Sequence, residues 1–312
     1  MSTFTVASQI GKRAVITGAT GGLGYETALV LAGAGADVLL TGRNAAKGAE
    51  ALKRIRAIHP KANVRYDHLD LSSLASVADF SARYASGHDA LDLLINNAGV
   101  MAPPTRHATA DGFELQMGSN YLGHYALTAQ LLPHLRKGHE PRVVNLSSIA
   151  HRNGAAIHFD DLQWQRSYKA WPAYSQSKLA MLMFAFELQR RSDANGWGLM
   201  SNASHPGFAR TALQSTGPQM GRGQSKSLFW QLSSILEKFA SHSAAEGAQP
   251  TLLAATSPLA KPGGYYGPQG LMGLKGAPGE ASVAGPAKDL AVAARLWQVS
   301  EQLTGVRWSE GA

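Results

Sequence analysis

The 312-residue chain contains no cysteine. Disulfides, thiolate nucleophiles and cysteine-bound zinc are therefore excluded, and a reducing compartment is expected, with the cytoplasm as the location that fits. Charge is also scarce. Asp, Glu, Lys and Arg make up 16% of residues, against about 25% in ordinary domains. With 45% of residues apolar, this composition argues against disorder and supplies a core. No apolar run approaches the ~18 residues of a spanning helix, so no integral membrane segment is expected. Residues 1–15 lack the basic start and apolar stretch of a signal peptide. Eleven histidines are scattered without an acid-supported His-x-x-x-His pair, so no metal site is expected. A Gly-x-Ser-x-Gly elbow is also missing, which argues against a Ser-His-Asp hydrolase.

Basic residues outnumber acidic ones, 29 to 21, giving a formal net charge of +8. A basic surface can hold nucleic acid or an anionic membrane. Without a run of about five or more basic residues there is no polybasic arm, and the surplus suits an anionic cofactor better. Nucleic acid is not expected as a partner.

Short β-branched runs alternate with helical stretches through the first two-thirds of the chain. Strands are read at Ala14–Thr17, Asp37–Thr41, Val64–Leu69, Leu91–Asn96, Arg142–Ser147 and Leu199–Ser204. Helices are read at 22–34 and 45–58, around 109–137 and 172–194, and later at 243–256 and 287–303. Gly264-Tyr-Tyr-Gly reads as a last short strand. This alternation predicts an α/β fold with a parallel sheet covered by helices on both faces. No linker divides the chain, so residues 1–312 are read as one domain: a core over about 10–215, a lid over about 208–242, and the last strand and helices over 243–312. The lid is read from its Gly and Pro content and from Leu213, Leu228, Phe229, Trp230 and Leu232, which suit either a substrate cover or a partner interface.

The first strand runs into Thr17-Gly-Ala-Thr-Gly-Gly-Leu-Gly24, directly ahead of a helix. Gly18 allows the turn, Gly22 lets backbone approach a pyrophosphate, and Gly24 lets helix and sheet pack closely. Free N–H groups at a helix start then face phosphates. The end of the second strand reads Thr41-Gly42-Arg43-Asn44. Gly42 stands where an acid would bind the ribose of NAD, and Arg43 can fork onto the 2′-phosphate of NADP. NADP(H) is the cofactor this pattern predicts.

Tyr174 and Lys178 are four residues apart on a helix and share a face. A cation beside a phenol favours the phenolate, so Tyr174 is expected to be drawn toward neutrality as a general acid and base. The fifth strand ends in Ser147-Ser148, and on chemistry alone either serine could hold a substrate oxygen. The fourth ends in Asn96-Asn-Ala-Gly99 and the sixth in His205-Pro-Gly207, followed by Thr211.

Together, Thr17-Gly-x-x-x-Gly-x-Gly24, Asp70-Leu71, Asn96-Asn97-Ala98-Gly99, Ser148, Tyr174-x-x-x-Lys178 and Pro206-Gly207 resemble the short-chain dehydrogenase/reductase family. Ser147-Ser-Ile-Ala-His151, Phe159-Asp-Asp-Leu162, His205-Pro-Gly and Gly264-Tyr-Tyr-Gly-Pro268 resemble its retinol-dehydrogenase-like branch. The resemblance implies a Rossmann-type doubly wound sheet of about seven strands in the order 3-2-1-4-5-6-7. It implies Tyr174 as acid/base, Lys178 lowering the phenol's pKa and binding ribose, and Ser148 orienting the carbonyl. Asn120 would help hold a relay water. Gly18, Thr20, Gly22, Leu23, Gly24 and Arg43 would bind cofactor, as would Asp70, Leu71, Asn97, Ala98 and Gly99, with Pro206, Gly207 and Thr211 beside the nicotinamide. The family is often dimeric or tetrameric, which admits a homo-oligomer.

The expected function is NADP(H)-dependent interconversion of a ketone or aldehyde and an alcohol, with bulky apolar carbonyls as substrates and reduction as the favoured direction. The membrane anchor of some retinol dehydrogenases is missing from this sequence, which argues against carrying a retinoid substrate over. The alternatives are an NAD-linked alcohol dehydrogenase, against which Gly42 and Arg43 argue, and a non-catalytic dinucleotide sensor, against which the Tyr174/Lys178 pair argues.

Overall fold

The protein is described by a computed structural model covering residues 4–208 and 242–308. Eight strands form one sheet: β1 (Arg13–Ile16), β2 (Asp37–Gly42), β3 (Val64–His68), β4 (Leu93–Asn96), β5 (Arg142–Leu146), β6 (Met200–Ser204), β7 (Tyr265–Gly270) and β8 (Lys275–Glu280). Their order is 3-2-1-4-5-6-7-8. The neighbours from β3 across to β7 are parallel, and β7–β8 is antiparallel. The central strands β1, β4 and β5 are buried on both faces and read as apolar runs: Ala-Val-Ile, Leu-Leu-Ile and Val-Val.

Helices cover both faces. Helices α1 (Gly22–Gly33), α2 (Ala45–Ile58) and α6 (Ala244–Thr256) share one core cluster, which includes Ile16, Leu31, Leu40, Ile95 and Leu252. Helices α3 (Leu74–Gly87), α4 (Gly123–Leu135), α5 (Ala170–Asn195) and α7 (Leu290–Thr304) share the other. There Tyr125 stands edge-on to Trp297, with ring centroids 5.1 Å apart, and Trp297 packs on Trp308 at 4.5 Å. Helix α6 opens with a capping box, in which Ser243 Oγ accepts from Glu246 N–H and the Glu246 carboxylate accepts from Ser243 N–H. Ser243→Ala removes one cap and is expected to cost ~1 kcal/mol, read as a fall in Tm. An unchanged Tm would mean that this cap carries no stability.

Besides α3, which the sequence reading did not name, two features depart from it. The helix expected around 109–137 begins later, because Thr109-Ala-Asp-Gly112 makes a turn closed by Gly112 N–H on Thr109 O, with Gly112 at φ +84°. A π-helical turn over Met117–Leu122 then leads into α4. The other departure is β8, which the sequence reading missed. Lys275-Gly-Ala-Pro-Gly-Glu280 has no apolar alternation, and its proline is tolerated on an edge strand. Met272 at φ +56° and Gly273 at φ +79° turn the chain into it. The lid reading, with Thr211, Leu213, Leu228, Phe229, Trp230 and Leu232, falls on 209–241 and lies outside the described residues. Among the described residues no helix is long and apolar enough to cross a membrane.

Candidate active site

A parallel sheet places the carboxyl ends of its strands along one edge, and loops leaving that edge converge there. The loop after β1 is the glycine turn. Gly18 has φ +63°, and a Cβ on it would meet Ala98 Cβ at 2.9 Å. A Cβ on Gly24 would lie 2.4 Å from Asn97 Nδ2 and 2.6 Å from Gly18 O. Both positions therefore need glycine for close approach. Asn97 spends its amide on the turn, donating to Thr17 O at 2.7 Å, and the N–H groups of Asn97 and Ala98 both donate to Thr17 Oγ1 at 2.9 Å. Ala19 N–H donates to Thr41 O at 3.0 Å, which ties the turn to β2.

Helix α1 starts from Gly21 with no side-chain cap, and a Cβ on Gly21 would meet nothing within 4 Å. Its first N–H groups are thus open to an anion, and these residues fit a pyrophosphate. At the end of β2, a Cβ on Gly42 would already meet Thr20 Cγ2 at 3.2 Å, so an acidic side chain there would be crowded. Arg43 is exposed next to it, and Asn44 caps α2 by accepting from Lys47 N–H at 3.0 Å. Asp70, after β3, accepts from Ser72 N–H at 2.9 Å, and a Cβ on Gly123 would press on Leu71 O at 2.4 Å. The β3 loop therefore lies against the start of α4.

The structure distinguishes the two serines after β5. Ser147 Oγ donates to Lys178 O at 2.7 Å and is committed to backbone. The Ser148 hydroxyl lies beside the Tyr174 phenol, where its hydrogen-bonding effect lowers the phenol's pKa, and it accepts from Ala150 N–H at 3.2 Å. Lys178 Nζ donates to Leu146 O at 3.0 Å and stands 5.9 Å from the Tyr174 ring centre. Tyr174 and Lys178 are both buried. Burial pushes the Tyr174 phenol up to about 12, partly opposed by the Ser148 hydrogen bond, and pulls Lys178 down to about 8. The expected shift of the phenol toward neutrality is not seen: burial is the largest cause and raises it, and the group that lowers it is Ser148 and not Lys178.

Asn120 sits in the π-helical turn, an irregularity often found at functional sites. Its Oδ1 accepts from Val100 N–H at 2.7 Å, and its Nδ2 donates to Val100 O at 3.0 Å and to Ser177 Oγ at 2.9 Å. A Cβ on Gly99 would lie 3.1 Å from Asn120 Oδ1 and 3.5 Å from Lys178 Nζ. Gly99, Asn120 and Lys178 therefore meet at one point.

A family model described as short chain dehydrogenase matches residues 12–220. The chain belongs to the short-chain dehydrogenase family. It is 42% identical to retinol dehydrogenase 13 of Homo sapiens over 302 residues, which span 95% of this chain and 85% of that protein. It is 38% identical to polyprenol dehydrogenase of Mus musculus over 302 residues, with the same coverage. A crystal structure of an uncharacterised protein from Mycobacterium paratuberculosis matches with a TM-score of 0.80 and 37% identity, covering 99% of this chain and all of that one. These relatives place this short-chain dehydrogenase in the retinol-dehydrogenase-like branch, among oxidoreductases of CH–OH groups that bind nicotinamide dinucleotides.

In this short-chain dehydrogenase the structure also gathers Pro206 and Gly207, read beside the nicotinamide, with histidines that the sequence reading left without a role. Pro206 and Gly207 follow β6 at the same edge. Gly207 has φ +66°, and a Cβ on it would meet Leu274 O at 2.3 Å. His151 pairs with Ser148 O at 2.6 Å, and its ring is edge-on to Tyr265, 5.4 Å away. His205 also packs on Tyr265, with ring centroids 5.2 Å apart. Three motifs that mark the branch in sequence thus converge behind Ser148. No single stretch signals this, because the residues come from three separate loops and strands. Among the described residues, no group of three or more His, Cys, Asp or Glu side chains is arranged to hold a metal.

Proposed function

We propose that the protein is an NADP(H)-dependent carbonyl reductase that converts bulky apolar ketones or aldehydes to alcohols, as one domain spanning residues 1–312 and acting in the cytoplasm. The observation that carries this reading is the Ser148–Tyr174 hydroxyl pair beside Lys178, at the edge where the glycine turn ends. Two adjacent hydroxyls can hold one carbonyl oxygen, and only one of them needs to give a proton.

When bound, the cofactor supplies the hydride or takes it back. Gly18, Thr20, Gly22, Leu23 and Gly24 would hold its pyrophosphate, and Arg43 its 2′-phosphate. Asp70, Leu71, Asn97, Ala98 and Gly99 would line the site beside them, with Pro206, Gly207 and Thr211 flanking the nicotinamide. Ser148 orients the carbonyl oxygen by donating a hydrogen bond. Tyr174 gives its phenolic proton to that oxygen as negative charge develops on it. Tyr174 holds its proton at neutral pH and so has one to give in the reducing direction. The Lys178 cation supports the phenolate left behind, and Asn120 lies where a proton can be resupplied through Lys178. The intact pair disfavours the dinucleotide-sensor reading, and the crowding at Gly42 disfavours an NAD-specific acid.

The substrate class rests on a different residue. Trp171 stands one helical turn before Tyr174, edge-on at 6.0 Å, and is 58% exposed. An apolar substrate covering that ring gains ~25 cal/mol per Å2 removed from water, whereas a charged one would be desolvated there. The similarity to a retinol dehydrogenase and a polyprenol dehydrogenase supports an apolar alcohol or its carbonyl. Aryl ketones are therefore expected to show higher kcat/KM than small keto acids of similar reactivity. A clear preference for the keto acids would mean that a cation faces the site and that the apolar reading is wrong.

A further inference from the structure

His124 lies on α4, fully buried, one turn after Asn120, and the mechanism above gives it no task. Its two ring nitrogens have different partners. Nε2 is 2.8 Å from Thr17 Oγ1, and Nδ1 is 2.8 Å from Asn120 O. Hydrogen-bond accounting fixes the protons. Thr17 Oγ1 already accepts two N–H groups, from Asn97 and Ala98. Its own proton must point outward, and the near acceptor is His124 Nε2, since Ile95 O is 3.4 Å away. Nε2 is therefore bare and Nδ1 carries the hydrogen, which it donates to the Asn120 carbonyl. The ring is held neutral, because burial, with the Lys178 charge adding, drives its pKa down to about 3.

A continuous chain of hydrogen bonds results. It runs from the Asn97-Ala98 backbone through the Thr17 hydroxyl and the His124 ring to the Asn120 backbone. One end is the turn that would hold the cofactor, and the other is the residue that meets Lys178. Neither Thr17 nor His124 reaches the reacting atoms. We propose that His124 is a positioning residue, a neutral one-tautomer bridge that sets the glycine turn at its Nε2 end and the Asn120–Lys178 pair at its Nδ1 end. The proposal rests on the reductase reading for its catalytic half only.

The two ends can be cut separately. His124→Gln puts an acceptor where Nε2 was and keeps the Thr17 partner, but loses the donor to Asn120 O. His124→Asn puts a donor where Nδ1 was and loses the Thr17 acceptor. With NADPH and an aryl ketone, H124Q is expected to lower kcat ~3–10-fold, the scale of one hydrogen bond, with little change in NADPH Kd. H124N is expected to weaken NADPH binding by a similar factor in direct titration, while recovering most of the kcat that H124Q loses. Tm is measured for both variants, and imidazole nitrogen shifts in the wild type should report an Nδ1–H ring. If both variants lose kcat and NADPH affinity in parallel with Tm, His124 is packing only and the proposal falls. If neither changes either quantity, or the nitrogen shifts report an Nε2–H ring, it also falls. Should the wild type bind NADPH and reduce nothing, the reductase reading fails by itself, and weakened NADPH binding in H124N but not in H124Q still decides the bridge.

Discussion

Tyr174→Phe is expected to lower turnover by ~100-fold or more while leaving NADPH binding nearly unchanged. The substitution keeps the ring, its edge-on contact with Trp171 and its place in the buried face of α5, and removes only the hydroxyl. That hydroxyl is the partner of Ser148, with Lys178 Nζ 5.9 Å from the ring centre. General acid catalysis is worth ~100- to 10,000-fold, which sets the size of the loss. The check is single-turnover NADPH oxidation with a reducible ketone, alongside a binding titration. Turnover within a few-fold of the wild type would transfer the proton to another group, and Ser148 would be the first to test.

Arg43→Ala should weaken NADP(H) far more than NAD(H). Arg43 is exposed at the end of β2, beside a Gly42 whose surroundings leave little room for a carboxylate. Only NADP carries the 2′-phosphate that a guanidinium would fork onto, and a charge-assisted contact of this kind contributes ~1.5–3 kcal/mol, or ~10-fold and upward in Kd. Titration of both cofactors against wild type and variant separates the cases. Equal weakening of both would make Arg43 a local structural residue and remove the basis for NADP selectivity.

The strands and the glycine turn were legible because their signals are local, whereas the sheet order came only from the family resemblance. Strands buried on both faces must be apolar runs, and a turn packed as tightly as Gly18 and Gly24 admits no Cβ. Helix α2 over Ala45–Ile58 follows from periodicity and an Asn44 cap, and its ends match the reading. The Thr109–Gly112 turn was hidden because apolar residues at helical spacing surround it. Strand β8 was hidden because an edge strand of Gly and Pro is held by pairing with β7 and not by its own pattern. In the site, Tyr174 and Lys178 were visible from their spacing, but the choice between Ser147 and Ser148 was not a matter of spacing. It depends on which hydroxyl the backbone of Lys178 occupies. The sign of the Tyr174 shift differs from the reading for a similar reason: sequence shows a nearby cation but not the burial that raises the phenol. His124 looked like any satisfied histidine on an apolar helix, and only the positions of Thr17 and Asn120 around it reveal a bridge.

The central claim is that this fold and this hydroxyl pair reduce a carbonyl at the expense of NADPH. Its most direct test is to mix the purified 312-residue protein with NADPH, and separately with NADH, and to follow cofactor absorbance across a panel of aryl and alkyl ketones and aldehydes. Substrate-dependent oxidation over many turnovers, faster with NADPH than with NADH and abolished in Tyr174→Phe, is the predicted result. Tight NADPH binding with no oxidation in the presence of any member of the panel would contradict the claim and favour a dinucleotide sensor.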